Sequence, residues 1–229
     1  MNAFFGKFSV KKLFFSLALV VISLFACTLS ACQKTIDYFE YVSENRSNIF
    51  LCDTNDFSLR IYATEKESPY EANGIPCEIS PRAEIYLTAP SGVENYTISF
   101  MVNGEKQGGE LSFDNVKAEY YYFCTLDIST LNEIVCTLSW GKKSVELKAL
   151  SVIQPQSITA RTALQNVLDS ERELFDTLTD KYGFLGEIYI RLIYEDSPYY
   201  YIGVIARSGN TYAFLLSAQS GKILAKRQS

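Results

Sequence analysis

This sequence predicts a mainly β protein with an α+β C-terminal part. The expected architecture is an immunoglobulin-like antiparallel β-sandwich, followed by a small domain in which a helix packs on an antiparallel sheet. Three observations predict it. From about residue 48 to 152, apolar and polar residues alternate with period two in short runs separated by turn residues. From residue 158 to 182 the apolar spacing becomes that of a helix, and from 187 to 218 period two returns in three further runs.

The chain opens with Lys7, Lys11 and Lys12 and no acid. An uncharged, almost wholly apolar run follows, "LFFSLALVVISLFA" at 13–26, and then small residues. That order is the one of a secretory signal. The alternative is a retained membrane helix, since residues 13–31 are uncharged and long enough to span. The boundary decides between them. Leu29-Ser30-Ala31-Cys32 resembles the lipobox of bacterial lipoproteins, in which an aliphatic residue stands three before a cysteine preceded by small residues. Leu24-Phe25-Ala26-Cys27 fits less well, because bulky Phe25 stands where a small residue belongs. The resemblance implies that residues 1–31 are removed and that Cys32 carries a diacylglyceryl group. Two acyl chains anchor a protein stably where one does so marginally. The chain is then expected on the extracytoplasmic face of a bacterial membrane.

Residues 32–47 have apolar positions at 36, 39 and 42 and read as a tether or short amphipathic helix. The sandwich, residues 48–152, is expected from seven strands: "FSLRIYAT" (57–64), "AEIYLTA" (83–89), "NYTISFMVNG" (95–104), "GELSF" (109–113), "AEYYYFCTL" (118–126), "EIVCTLSW" (133–140) and "SVELKAL" (144–150). "PSG", "NGEKQGG" and "WGKK" supply turns. "IQPQS" (153–157) is a linker in which Pro155 stops a strand and Ser157 can cap a helix. Ala160, Ala163, Leu164, Val167 and Leu168 then line one helical face, and Ser170-Glu171-Arg172-Glu173 reads as a capping box where the helix breaks and restarts. Strands follow at 187–194, 199–207 and 211–218, the last two joined by "RSGNT". Residues 158–229 make the second domain. Charge divides the same way: residues 33–152 carry 10 basic and 18 acidic residues, and residues 153–229 carry 8 of each.

The tail Ser217-Ala218-Gln219-Ser220-Gly221-Lys222-Ile223-Leu224, after a helix and tyrosine-rich strands, resembles the closing D-A-x-T-G-x-V-L of the PepSY family, with Ser217 in place of the aspartate. Gly221 suits a turn that needs positive φ. The resemblance covers about a third of the chain. It implies a module that binds or restrains a peptidase and is not itself a catalyst.

Composition narrows the chemistry. Hydrophobic residues make up 48% and aromatics 14%, so the chain can bury a core and is not disordered as a whole. Without residues 1–31 there are 18 basic against 26 acidic residues, net −8, which argues against nucleic acid. There is no histidine, which excludes Ser-His-Asp and Cys-His catalysis and any His-ligated metal. Ser139-Trp140-Gly141-Lys142 spells S-x-x-K but lies at a strand end without companion motifs, and Asp53-Thr54-Asn55-Asp56 lacks the glycine and glutamate of a calcium loop. No cofactor, metal or catalytic residue is expected.

Cys52, Cys77, Cys124 and Cys136 remain in the body. They are consistent with two disulfides in any of three connectivities, or with four free thiols. If 124–136 is a hairpin, Cys124 pairs with Cys136 and, by remainder, Cys52 with Cys77. The tyrosine runs 120–122 and 199–201 must turn alternate rings outward. Glu195, Asp196, Tyr199, Tyr200 and Tyr201 are the candidate contact for an extracytoplasmic protein partner. The alternative is a lipid-anchored receptor for a small ligand or wall glycan, held between the two domains.

Overall fold

The structure, a computed structural model, describes residues 36–67, 77–90, 92 and 95–229. The signal segment, the lipidation residue Cys32 and the first part of the tether lie outside the described residues.

The chain is mainly β. The stretch read as a tether or short helix is only partly helical. A single 3-10 turn spans Tyr38–Tyr41, capped where Asp37 Oδ1 accepts the Phe39 amide at 3.0 Å. A twelve-residue strand, β1 (Val42–Asp53), starts immediately after it. Then come β2 (Ser58–Glu67), β3 (Ile79–Thr88), β4 (Thr97–Val102), β5 (Glu105–Glu110), β6 (Ser112–Asp114), β7 (Glu119–Cys124), β8 (Glu133–Trp140) and β9 (Lys143–Ser151). Helices α1 (Ala160–Ser170) and α2 (Arg172–Thr177) precede β10 (Gly186–Tyr194), β11 (Pro198–Ala206), β12 (Thr211–Ser217) and β13 (Ile223–Gln228). A hairpin of two-residue strands, Thr179–Asp180 and Gly183–Phe184, links α2 to β10.

Six of the seven predicted sandwich runs and the three C-terminal runs each hold one strand, with local shifts; "GELSF" instead straddles the end of β5, paired with β4, and the start of β6, paired with β7. "NGEKQGG" is not one long turn. Asn103 (φ 52°) and Gly104 (φ 82°) alone make it, the left-handed pair that a two-residue hairpin requires, and Glu105–Glu110 is a strand paired with β4. The cap of α1 is Thr159 rather than Ser157: Thr159 Oγ1 accepts the Thr162 amide at 3.1 Å, while Ser157 Oγ accepts the Gln154 amide in the linker turn. The helix does break at Ser170–Glu171, but no side chain there caps α2.

β1 organises everything else. Along one edge it pairs antiparallel with β2. Along the other it pairs first with β10, in parallel over Val42–Arg46, and then with β9 at Phe50 and Leu51. The order β13-β12-β11-β10-β1-β2-β3-β7-β6 is continuous, with β9, β8, β4 and β5 branching from β1. The two halves read from the sequence therefore share one sheet, and residues 37–229 form one compact unit.

Two cores result. In the N-terminal half, β1-β2-β3-β7 and β9-β8-β4 face each other as a sandwich-like, partly closed sheet. Between them lie Phe50, Leu59, Ile61, Ile85, Leu87, Ile98, Leu138 and Leu147, each at most 1% exposed. In the C-terminal half, Ala163, Leu164 and Val167 of α1 and Phe175 of α2 cover Ile188, Ile190, Ile202, Val204 and Leu216. Each of these aliphatic side chains contributes about 1.5–3 kcal/mol of transfer free energy when fully buried. The 3-10 turn is tied to this core. Tyr38 stands edge-on to Phe175 and Phe184, and Arg161 Nη1 donates to both carboxylate oxygens of Asp37 at 3.0 Å. Among the described residues no helix is long and apolar enough to cross a membrane.

Candidate functional site

The sequence-read contact divides. Glu195 and Asp196 are exposed at the β10–β11 hairpin tip. Tyr199 and Tyr201, two apart, share one face and are half-buried. Tyr200 does not belong with them. It is 2% exposed and opposite Leu216 in the core, and its hydroxyl donates to the Ile158 carbonyl at 3.1 Å. Burial pushes that phenol up to about 12. The "YYY" run showed that alternate rings must differ. Which ring goes inside was settled by the register with β12.

Among the described residues, Cys52, Cys77, Cys124 and Cys136 form no disulfide. The 124–136 segment is not a hairpin. Cys124 ends β7, opposite Ala83, while Cys136 lies on β8 between Phe100 and Leu147, so the intervening loop carries the chain from one wall of the sandwich to the other. The pairing inferred by remainder is not made either. Cys52 packs against the core and Cys77 lies exposed beyond β2, where its amide donates to Glu67 Oε1 at 3.2 Å. Burial raises the Cys52 and Cys124 thiols and, with a smaller contribution from neighbouring Cys52, pushes Cys136 up to about 12. The thiolate is the reactive form. Among these four, Cys77 is expected to react with iodoacetamide first in the folded protein, and Cys136 only after unfolding. Peptide mass spectrometry of a labelling time course measures this; early labelling of Cys136 would contradict the burial described.

A groove lies elsewhere. It measures about 710 Å³ and runs between the α1–α2 junction, Asp169–Leu174, and the last two strands, where Tyr212, Phe214 and residues 226–228 line it. One wall is the sheet edge. β13 pairs only with β12 among the described strands. The Thr211 and Ser229 backbones exchange bonds of 2.9 and 3.0 Å, which makes that pair a hydrogen-bonded one. Bonding alternates along an antiparallel ladder, so the next such pair is Ala213–Arg227. Lys226 and Gln228 then stand in non-bonded pairs, with backbone N–H and C=O directed away from β12. Their side chains take the same face as Phe214 and Tyr212, toward the groove.

One tie crosses the groove. Lys226 Nζ donates to Glu171 Oε1 and to Ser170 Oγ, the latter at 3.4 Å, and Ser170 Oγ gives its own proton to Glu171 Oε1 at 2.9 Å. The Lys226 bond and charge hold the Glu171 carboxyl below its ordinary range. A serine beside a lysine invites a reading as nucleophile and base. Here both donate to one carboxylate, so the trio fastens β13 to the helices. A second tie runs from Asn166 Nδ2 to the Gly221 carbonyl at 3.0 Å. Gly221 has φ +70°, a left-handed conformation that favours glycine, and a Cβ there would push aside the Asn166 amide that makes this tie. Nothing in the sequence marked Lys226 or Glu171 as partners; Glu171 stood in a capping box.

Comparison with protein families, with curated proteins and with solved structures found no match.

Proposed function

We propose that the chain is a bacterial lipoprotein, anchored through Cys32 on the extracytoplasmic face of the membrane. In this reading residues 158–229 act as a non-catalytic, PepSY-like module that captures an extended segment of a protein partner, a peptidase being the class the resemblance favours. The observation that carries the binding role is the free edge of β13 beside an open groove. An extended segment added to an edge gains main-chain hydrogen bonds, and its alternate side chains find the adjoining pocket. Here the backbones of Lys226 and Gln228 offer the bonds, and the groove floor of Tyr212 and Phe214 offers the pocket. The helix layer on an antiparallel sheet and the Gly221 turn support the PepSY-like reading; the lipobox supports the anchor. The exposed acids of the 195–196 tip lie at the same end of the sheet as the start of β13, because the Ala218 amide donates to the Pro198 carbonyl.

Lys226→Pro tests the edge. Its N–H points away from β12, so proline removes an outward donor without cutting the β12–β13 ladder, as edge strands allow. Lys226→Ala is the control that removes only the tie to Glu171. Partner protein co-purified from the membranes of cells that make the protein is expected to be lost with Lys226→Pro and kept with Lys226→Ala. Equal recovery with both variants would move the contact away from β13.

A further inference from the structure

A second site lies at the far end of the sheet, on the β6–β7 hairpin. A dent of about 170 Å³ is lined there by Tyr86, Asp114, Lys117, Glu119 and Tyr121. Tyr121, 37% exposed, and Phe123, 59% exposed, stand on its face of β7, and Val116, 95% exposed, lies in the hairpin turn. Large apolar groups concentrated in one exposed place mark a contact surface.

The lining is fixed in position. Tyr86 and Tyr121 are directly opposed on β3 and β7, so their side chains rise from one face. Glu119 is 8% exposed, and Arg60 Nη2 donates to its Oε2 at 2.6 Å. Asp114 Oδ1 accepts the amides of Val116 and Lys117 at 2.9 and 3.2 Å, which shapes the turn and leaves Oδ2 for a ligand. Ala118, at φ +54°, holds the turn in a left-handed conformation that non-glycine residues rarely adopt. The Lys117 ammonium stands 5.4 Å from the centre of the Tyr86 ring.

The chemistry of the lining selects a ligand class. Two ionised carboxylates accept hydrogen bonds and cannot donate, so they favour a ligand rich in hydroxyl donors. Arg60, paired with Glu119, and Lys117 balance the two carboxylates, so the dent carries no net charge and suits a neutral ligand. The rings offer flat apolar faces with polar rims. A neutral pyranose matches all three features, with one C–H face to lie on a ring and hydroxyls around its edge. The dent has room for about one sugar ring. We infer that the β6–β7 hairpin is a carbohydrate-binding site, taking one neutral pyranose unit of a glycan between Tyr86, Tyr121, Asp114 and Lys117. The site is separate from the β13 edge, and neither depends on the other.

The test is saturation-transfer NMR on the full chain in detergent, with cellotetraose, chitotetraose and maltotetraose as probes. The expected result is transfer to at least one tetrasaccharide. Its dissociation constant is expected to rise about tenfold with Tyr121→Ala, which removes a stacking face, and to hold with Tyr121→Phe, which keeps it. Lys117→Ala, a surface change that leaves the fold untouched, weakens binding in the same direction. Lys226→Pro leaves it unchanged, which keeps this result apart from the β13 test. No transfer from any of the three probes at millimolar concentration overturns the inference. So does transfer that survives Tyr121→Ala, since the sugar then binds elsewhere. If the hairpin variants instead abolish capture of a protein partner while no sugar binds, the surface is a protein contact and the inference also fails.

Discussion

Replacing Asn48 with alanine is expected to lower the unfolding free energy by about 3 kcal/mol, the sum of several buried groups left without partners. Asn48 is 2% exposed, at the bend of β1 between its two cores. Every hydrogen-bonding position of its amide is used. Nδ2 donates to the carbonyls of Ser129 and Leu131 at 3.1 and 3.2 Å, and Oδ1 accepts from Ser151 Oγ and the Ile49 amide, both at 2.8 Å. One side chain thus holds the loop between the sandwich walls, the end of β9 and the β1 bulge. Alanine removes both halves of the amide and keeps the backbone. Urea unfolding at neutral pH reads the change as a lowered midpoint with an unaltered slope. An unfolding free energy within about 0.5 kcal/mol of the parent, as exposed positions give, would show that the loop does not lean on this residue.

Arg191→Met is expected to cost about 2 kcal/mol at neutral pH, below the usual figure for a fully buried pair because the arginine is half-exposed. Its partner, Glu44, is 4% exposed and receives a two-pronged contact, from Nε at 2.7 Å and Nη2 at 2.8 Å, with Lys66 Nζ 3.6 Å away. Burial alone pushes the Glu44 carboxyl up. The Arg191 hydrogen bonds and the charges of Arg191, Lys66 and Arg46 outweigh it, and the carboxyl ends below its ordinary value of 4.5. Its folded pKa is therefore depressed relative to the unfolded chain. The stabilisation it brings is present above about pH 4.5 and is lost as pH falls through the folded pKa. Without Arg191 the burial effect dominates and the folded carboxyl moves upward. The gap in stability between parent and Arg191→Met should accordingly be widest at pH 7 and narrow toward pH 4, measured as urea midpoints across that range. A gap independent of pH would mean that the loss comes from the arginine's packed stem and not from its charge.

These two residues also show where the sequence was silent. The sandwich strands and the helix were legible because burial follows period: Leu59, Ile61 and Ala63 alternate inward on β2, and Ala160, Ala163, Leu164 and Val167 line α1. β1 carried no such signal. Ser43-Glu44-Asn45-Arg46-Ser47-Asn48 reads as a solvated stretch, yet Ser43, Glu44, Asn45 and Asn48 are buried. Their partners are remote in sequence: Glu187 for Ser43, Arg191 for Glu44, Glu65 for Asn45 and the 129–131 loop for Asn48. A polar strand can lie inside only when such partners converge, and no local pattern reports that they will. Without β1, nothing marked that one sheet runs through both halves. The candidate sites divide for the same reason. Glu195 and Asp196 at a hairpin tip follow from local turn chemistry, whereas the groove requires the register of β12 with β13 and the approach of Glu171 to Lys226 across 55 residues.

The central claim is that an extended segment of another protein lies along β13. The most direct measurement places a photoreactive side chain at Gln228 and, in a separate variant, at Met101, which is 59% exposed on the opposite sandwich wall. Both are irradiated in intact cells, and the adducts are sequenced by mass spectrometry. The expected result is one dominant protein joined at position 228 through a single short stretch of its chain, absent from the Met101 variant and lost when Lys226→Pro is added. Equal adducts at both positions, or no protein adduct at 228, would contradict capture at the β13 edge.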